Sequence, residues 1–169
     1  RVMMIIGFGA QSYAGFGMMQ FDLNVDQTLL ATNSVIQGMG IGLTWVPMTV
    51  VTFATLAPEY RAEGMSMFHL LRNFGSSLFI SIAVAEIVRT TSANYARLTE
   101  KVSPFNEVWN MPWATGAWTI DSAQGIAKVA SEIARQATMI GYVNAFLMYA
   151  LVAAAGIPLC LLARLPRKT

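Results

Sequence analysis

The stretch from Asn33 to Ser77, NSVIQGMGIGLTWVPMTVVTFATLAPEYRAEGMSMFHLLRNFGSS, decides how this chain is built. It reads as one apolar span, a short charged hairpin and the start of a second span. At 100° per residue, Asn33, Gln37, Gly40, Thr44, Pro47, Met48, Thr52 and Thr55 fall within an arc of about 140°. That arc is a polar seam on an otherwise apolar helix, and it makes Asn33, Gln37, Thr44 and Met48 the candidates to line a pathway. Gly38 and Gly42 lie on another side, in a GxxxG register that lets a neighbouring backbone approach closely. With Pro47, which should kink the helix, they are the expected packing positions. Past the hairpin, His69, Arg72, Ser76, Ala83 and Glu86 share a similar arc of about 100°. Two membrane helices with polar seams imply a pathway or cavity between them.

Composition sets the solvent. The chain is 55% hydrophobic and 12% charged, far from the usual quarter-charged soluble domain, and its mean hydropathy is +0.51. A formal net charge of +2, scattered along the sequence, gives no footprint for nucleic acid. The single cysteine, Cys160, sits in an apolar run and reads as a small buried residue. The chain opens RVMMIIGFGA, without an initiator Met and already inside an apolar run, and so reads as a piece of a longer protein.

In order, the expected spans are 2–19, 29–56, 65–88 and 141–163, each near the ~20 residues that a bilayer requires. The segment 89–140 is expected to be an outer loop. Within it, Ile126, Val129, Ala130, Ile133 and Ala137 recur at helical spacing opposite Lys128, Glu132 and Arg135. That pattern predicts an outer-side amphipathic helix, on the membrane surface or packed against the bundle. The fold expected is therefore all-α, a polytopic membrane bundle of four transmembrane helices with this extra helix.

Orientation follows from the basic residues. Arg1, the Arg61 hairpin and the tail with Arg164, Arg167 and Lys168 share one face and lie in short segments. Arg89, Arg97, Lys101, Lys128 and Arg135 are spread over the long segment on the other. The positive-inside rule places the hairpin and tail in the cytoplasm and the long segment outside.

The ordered set of Gln37-Gly38 with Pro47, Pro58-Glu59 and Arg61-Ala62, Arg72-Asn73, and Leu98-Thr99-Glu100 leading to Pro104-Phe105-Asn106 carries a resemblance. It resembles the C-terminal part of the 14-span drug:proton antiporters of the EmrB/QacA type, in the major facilitator superfamily. The resemblance implies the last four spans of a multidrug efflux permease in the bacterial inner membrane. It implies proton-driven export of small hydrophobic or amphipathic compounds by alternating access, with the proton gradient as energy source and no cofactor. The partners implied are the bilayer, the N-terminal spans of the same protein and, in Gram-negative bacteria, a periplasmic membrane-fusion adaptor and an outer-membrane channel. The family's main proton-coupling acids lie in the N-terminal half, which these residues do not include. A transporter of a lipid or siderophore, or a non-transporting scaffold subunit, stays open beside this reading.

Single residues have plainer readings next to functional ones. Arg72 lies about 10 Å into its span, where it snorkels or faces an aqueous cavity; with Arg61 and Asn73 it is assigned a gating or structural role on the cytoplasmic side. Glu86 is the one acid inside an apolar span and invites a proton-relay reading. Its place near the outer interface, three residues before Arg89, favours an interfacial ion pair. His69 reads as a satisfied polar group. Asn33, Gln37 and Thr44 either bond neighbouring helices, at about 0.6 kcal/mol each, or face a cavity. Nothing supports an enzyme: there is no catalytic constellation, no metal-ligand spacing around His69 and no phosphate-binding fingerprint. On this topology, a cysteine placed at Thr99 reacts with impermeant thiol reagents only from outside and one at Glu59 only from inside. Labelling in intact cells against inverted vesicles checks this, and the reverse pattern overturns it.

Overall fold

The computed structural model describes residues 1–54, 56–103, 105–111 and 118–162; Thr55 of the seam, Pro104 and the basic tail lie outside them. The chain is all-α, with no strand among the described residues. Its helices are α1 (Val2–Met18), α2 (Gln27–Phe53), α3 (Arg61–Thr99) and α4 (Ala123–Leu162), with single 3-10 turns at Pro58–Tyr60 and Glu107–Asn110. Three of them, α2, α3 with its leading turn, and α4, are long and apolar enough to cross a membrane. The fourth, α1, is apolar but only 17 residues long.

Local chemistry sets the ends. After α1, the Asp22 carboxylate accepts the Asn24 N–H at 2.9 Å, an Asx turn that reverses the chain. Asp26 then stands extended ahead of α2, and its carbonyl accepts the Leu30 N–H. α2 stays helical through Pro47, and α4 through Pro158, interruptions that a membrane bundle tolerates. At the hairpin, Pro58 takes the first position of the 3-10 turn, where its missing N–H would have had no partner.

Two expectations about the long segment are corrected. Residues 89–99 are not loop, because α3 runs on to Thr99. The amphipathic stretch 126–137 is no separate helix, because it is the first part of α4. At 1.5 Å per residue these helices are about 58 and 60 Å long, twice the ~30 Å of hydrocarbon. Polarity marked where lipid should end, and the backbone ladder does not stop there. In the polar part of α3, hydroxyl and amide groups bond back along the helix, as with Ser92 to the Val88 carbonyl and Asn94 to that of Thr90.

The chain forms two compact units, one of Arg1–Ala83 with Phe146–Thr169 and one of Val84–Ala145. In the first, α1 and α2 cross backbone to backbone. A Cβ at Gly7 would lie 2.8 Å from the Gly40 carbonyl oxygen, and one at Gly40 would lie 2.9 Å from that of Gly7. On its other side α1 meets α4, where a Cβ at Gly15 would lie 2.9 Å from the Ala150 Cα. Ala14, Ala150, Ala153 and Cys160 are buried in this unit, so the contact is made by small residues, as lipid-embedded packing favours.

In the second unit, a Cβ at Gly141 would lie 3.0 Å from the Ile87 carbonyl oxygen, again a close helix crossing. Val129 and Ala137 are buried. Of the predicted apolar face, Val129, Ala130 and Ile133 pack against the end of α3 and the residues after it, around a cavity shared with Tyr95, Thr99 and Val102, while Ile126 at its edge stays exposed. Opposite it, Arg135 donates twice to the Glu132 carboxylate, at 2.9 and 3.0 Å. The hydrogen bond from Arg135, with a further one from Gln136, holds the Glu132 carboxyl below its ordinary value. This surface pair is therefore intact above the usual carboxylate range and is lost only as pH falls through the lowered value.

The glycine register moves accordingly. A Cβ at Gly38 or Gly42 would meet nothing within 4 Å, so among the described residues the close approach is made at Gly7 and Gly40 instead. Gly40→Leu forces α1 and α2 apart, an overpacking cost of about 1–3 kcal/mol. Gly42→Leu leaves this crossing intact. Folded yield and melting in detergent, compared for the two variants, check the difference.

Candidate functional site

The polar seam of α2 divides. Asn33 and Thr44 are buried, and both spend their hydrogen bonds on helix packing. Asn33 donates to the Ala14 carbonyl at 3.1 Å. Thr44 donates to the Gly40 carbonyl at 2.9 Å and accepts from the Gln11 amide at 2.8 Å. That amide also reaches the Gly40 carbonyl at 3.3 Å, and its oxygen accepts from the Tyr149 hydroxyl at 3.4 Å. Nearby, Ser12 donates to the Ala150 carbonyl at 3.2 Å. Three helices are thus tied at one polar node whose members have little capacity left for a ligand.

Gln37 and Met48 are half-buried. They lie about 40° and 60° to one side of Asn33 on the helix, at the rim of the packed face. Gly38 and Gly42 are exposed on a different side, and Pro47 is half-buried. The structure therefore brings Asn33 and Thr44 together with α1 and leaves Gln37 and Met48 at the edge. Gln11 and Tyr149 were missed as partners. Gln11 did carry a signal, since a primary amide in the middle of an apolar run is costly to leave unpaired.

Each end of α2 carries a cavity. Near its start, one of about 250 Å³ is walled by Tyr13, Phe16, Phe21 and Ile36, with Gln20 and Asn33 as polar groups. Near its end, one of about 450 Å³ is walled by Trp45, Val50, Phe53, Met65, Phe68 and His69. Aromatic rings make up much of the second: Phe68 lies 5.9 Å from Trp45, 5.7 Å from Phe53 and 5.8 Å from His69 between ring centroids. Arg72 places its guanidinium carbon 4.1 Å from the centre of the Trp45 ring, a cation–π contact that compensates a charge in an apolar span. His69, read as a satisfied polar group, instead belongs to this aromatic wall. Such walls suit flat or apolar compounds, which rings hold by area and weak polar contacts.

The other expected residues are placed as follows. Arg61 is exposed, with its Nε donating to the Leu56 carbonyl at 3.4 Å. Asn73 is exposed. Glu86 is half-buried and accepts from the Thr90 hydroxyl at 3.0 Å. The ion pair expected with Arg89 does not form; among the described residues the salt bridge is that of Glu132 with Arg135. A threonine one turn on reaches the carboxylate while Arg89 turns to the exposed side. No group of acids, histidine and cysteine among the described residues could hold a metal ion.

No protein-family model and no solved structure matches the chain. It is similar to the multidrug export protein EmrB of Escherichia coli strain K12, 31% identical over 86 residues, which cover 51% of this chain and 17% of that protein. It is also similar to EmrB of Haemophilus influenzae, 23% identical over 113 residues, which cover 66% of this chain and 22% of that protein. The chain thus spans less than a quarter of the length of the curated relatives it matches. Similarity and apolar helices together give a multi-pass membrane chain like part of a multidrug exporter.

Because the node at Gln11 is saturated, Gln11→Leu removes its bonds to Thr44 and Tyr149, leaving Thr44 only the Gly40 carbonyl, and Asn33→Leu removes the side-chain bond to the Ala14 carbonyl. Each lowers stability by roughly 0.6–1.7 kcal/mol, the span measured for such bonds in membranes. Gln37→Leu stays within about 0.5 kcal/mol of the parent. Denaturation of the three variants in mixed micelles checks this order.

Proposed function

We propose that the chain is the C-terminal part of a proton-driven efflux permease that exports hydrophobic or amphipathic compounds by alternating access in the bacterial inner membrane. The aromatic cavity at the end of α2 supports this best. It offers ring faces and no acidic group, which suits varied apolar compounds. A second, more polar cavity at the start of the same helix fits a path sampled from either side in turn. The similarity to EmrB, named a multidrug export protein, gives the same class.

Roles follow by position. Trp45, Phe53 and Phe68 hold the compound, while Gln37 and Met48, at the rim of the packed face, line its path. Arg72, seated on Trp45, sits where an arriving aromatic compound must pass it, and with Arg61 and Asn73 it forms the gate on the cytoplasmic side. Glu86, hydrogen-bonded to Thr90, is a minor proton site, with the main coupling acids in spans outside this chain. The 89–140 segment faces the periplasm, where an adaptor would dock. The proton gradient supplies the energy, and no cofactor takes part.

The test uses the full-length gene product in inverted membrane vesicles. An aromatic dye is accumulated when a proton gradient is imposed and released when it is collapsed. Trp45→Ala lowers accumulation of aromatic dyes about two- to tenfold, the value of a ring–ring contact, with the protein amount unchanged. Accumulation that needs no gradient overturns the proton-driven reading, and no accumulation under either condition favours a scaffold subunit.

A further inference from the structure

The cavity of about 250 Å³ at the start of α2 lies within the unit that holds Arg1–Ala83, and it is close to the lower size of small-molecule sites, about 300 Å³. Tyr13, Phe16 and Phe21 supply its aromatic walls. Two of its polar groups leave acceptors open. Asn33, only 6% exposed, gives an amide N–H to the Ala14 carbonyl. Its Oδ1 receives no hydrogen bond among the described residues, and it is not one of the fully enclosed unpaired side-chain atoms, which among them are Thr91 Oγ1 and Trp109 Nε1. The oxygen therefore opens on the cavity, over Gly17, where a Cβ would lie 2.6 Å from it. Thr32, also in the cavity wall, gives its hydroxyl proton to the Thr28 carbonyl and keeps its lone pairs. Charge points the same way. Between Arg1 and Glu59 the charged side chains are Asp22 and Asp26, both on the turn that joins the two helices of the cavity, so the field at this end is negative.

We infer that this cavity binds the N–H-bearing ammonium of a small amphipathic amine. The ammonium donates to Asn33 Oδ1 and Thr32 Oγ1, and the apolar body lies against Tyr13, Phe16 and Phe21, whose ring faces also attract a cation. Rings alone hold a quaternary ammonium well. Open lone pairs add charge-assisted hydrogen bonds that only a cation with N–H groups can make, so the site prefers a primary ammonium to its methylated form. Gly17 makes this possible, because any side chain there would cover the Asn33 oxygen. The export reading uses this cavity as part of a path; the inference concerns binding alone and does not rest on it.

The test is equilibrium binding to the full-length protein in phosphatidylcholine nanodiscs, with no gradient and with empty nanodiscs subtracted. The probes are 2-phenylethylammonium, its N,N,N-trimethyl analogue and phenylacetate. The parent binds the primary amine about tenfold more tightly than the trimethyl analogue, the value of a hydrogen bond to a charged group, and phenylacetate most weakly. Thr32→Val, at an exposed position, lowers that preference at least threefold and leaves the trimethyl analogue within twofold of the parent. Gly17→Ala, with helicity checked by circular dichroism, abolishes the preference; if it does not fold, Thr32→Val decides alone. A trimethyl analogue that binds as tightly as the primary amine overturns the inference, as does a preference that Thr32→Val leaves unchanged. The ammonium can come from a lipid headgroup or from a soluble amine. Weaker amine binding in nanodiscs that contain phosphatidylethanolamine supports the inference with the lipid as the source, and unchanged binding supports it with a soluble amine.

Discussion

In lipid no water completes an unmet hydrogen bond, so each polar group inside a span must find its partner in protein. The amide of Gln11 is where this constraint acts most strongly here. It lies mid-way along α1, and the helices satisfy it together: Thr44 from α2 and Tyr149 from α4 converge on the same side chain. That convergence needs close backbones, which Gly7 and Gly40 allow. The glycines and the glutamine are thus one arrangement. Small residues bring the helices near, and the amide fixes how far each is slid along the other.

Outside that node the first unit exposes large apolar side chains on nearly every helix, among them Val35, Met39, Leu70, Phe74 and Leu78. In water such a surface would be untenable; in a bilayer it is ordinary. Polar groups therefore carry the specificity of packing, and apolar groups carry the affinity for the solvent. The aromatic cavity departs from this division. There Arg72 is held by a ring face instead of a carboxylate, which keeps the pocket free of fixed negative charge.

Much of the architecture was legible in the sequence, since four apolar runs and a polar seam follow from hydropathy and helical angles alone. The angles also showed which residues of α2 share a face. They could not show which helix that face meets, and so Asn33 and Thr44 read as well for a cavity as for packing until α1 was placed against them. The same ambiguity moved the close approach from Gly42 to Gly40, two residues and 160° away. The ends of α3 and α4 were misjudged because polarity and helicity are separate properties: RTTSANYARLT is unwelcome in lipid yet bonds back to its own carbonyls. Trp45 was not singled out because one more aromatic in an apolar run has no distinctive pattern, and only the position of Arg72 above it gives it a task.

The crossing of α1 and α2 has a mechanical character that follows from its atoms. At Gly7 and Gly40 the space left by each missing side chain is filled from the facing helix, by Thr44 at Gly7 and by Gln11 at Gly40, so the two helices are keyed together by one side chain each way. Separation would break the bonds of Gln11 and Thr44, sliding would misalign them, and rotation would drive the same two side chains into the facing backbone. The joint resists all three motions and is closer to a weld than to a pivot.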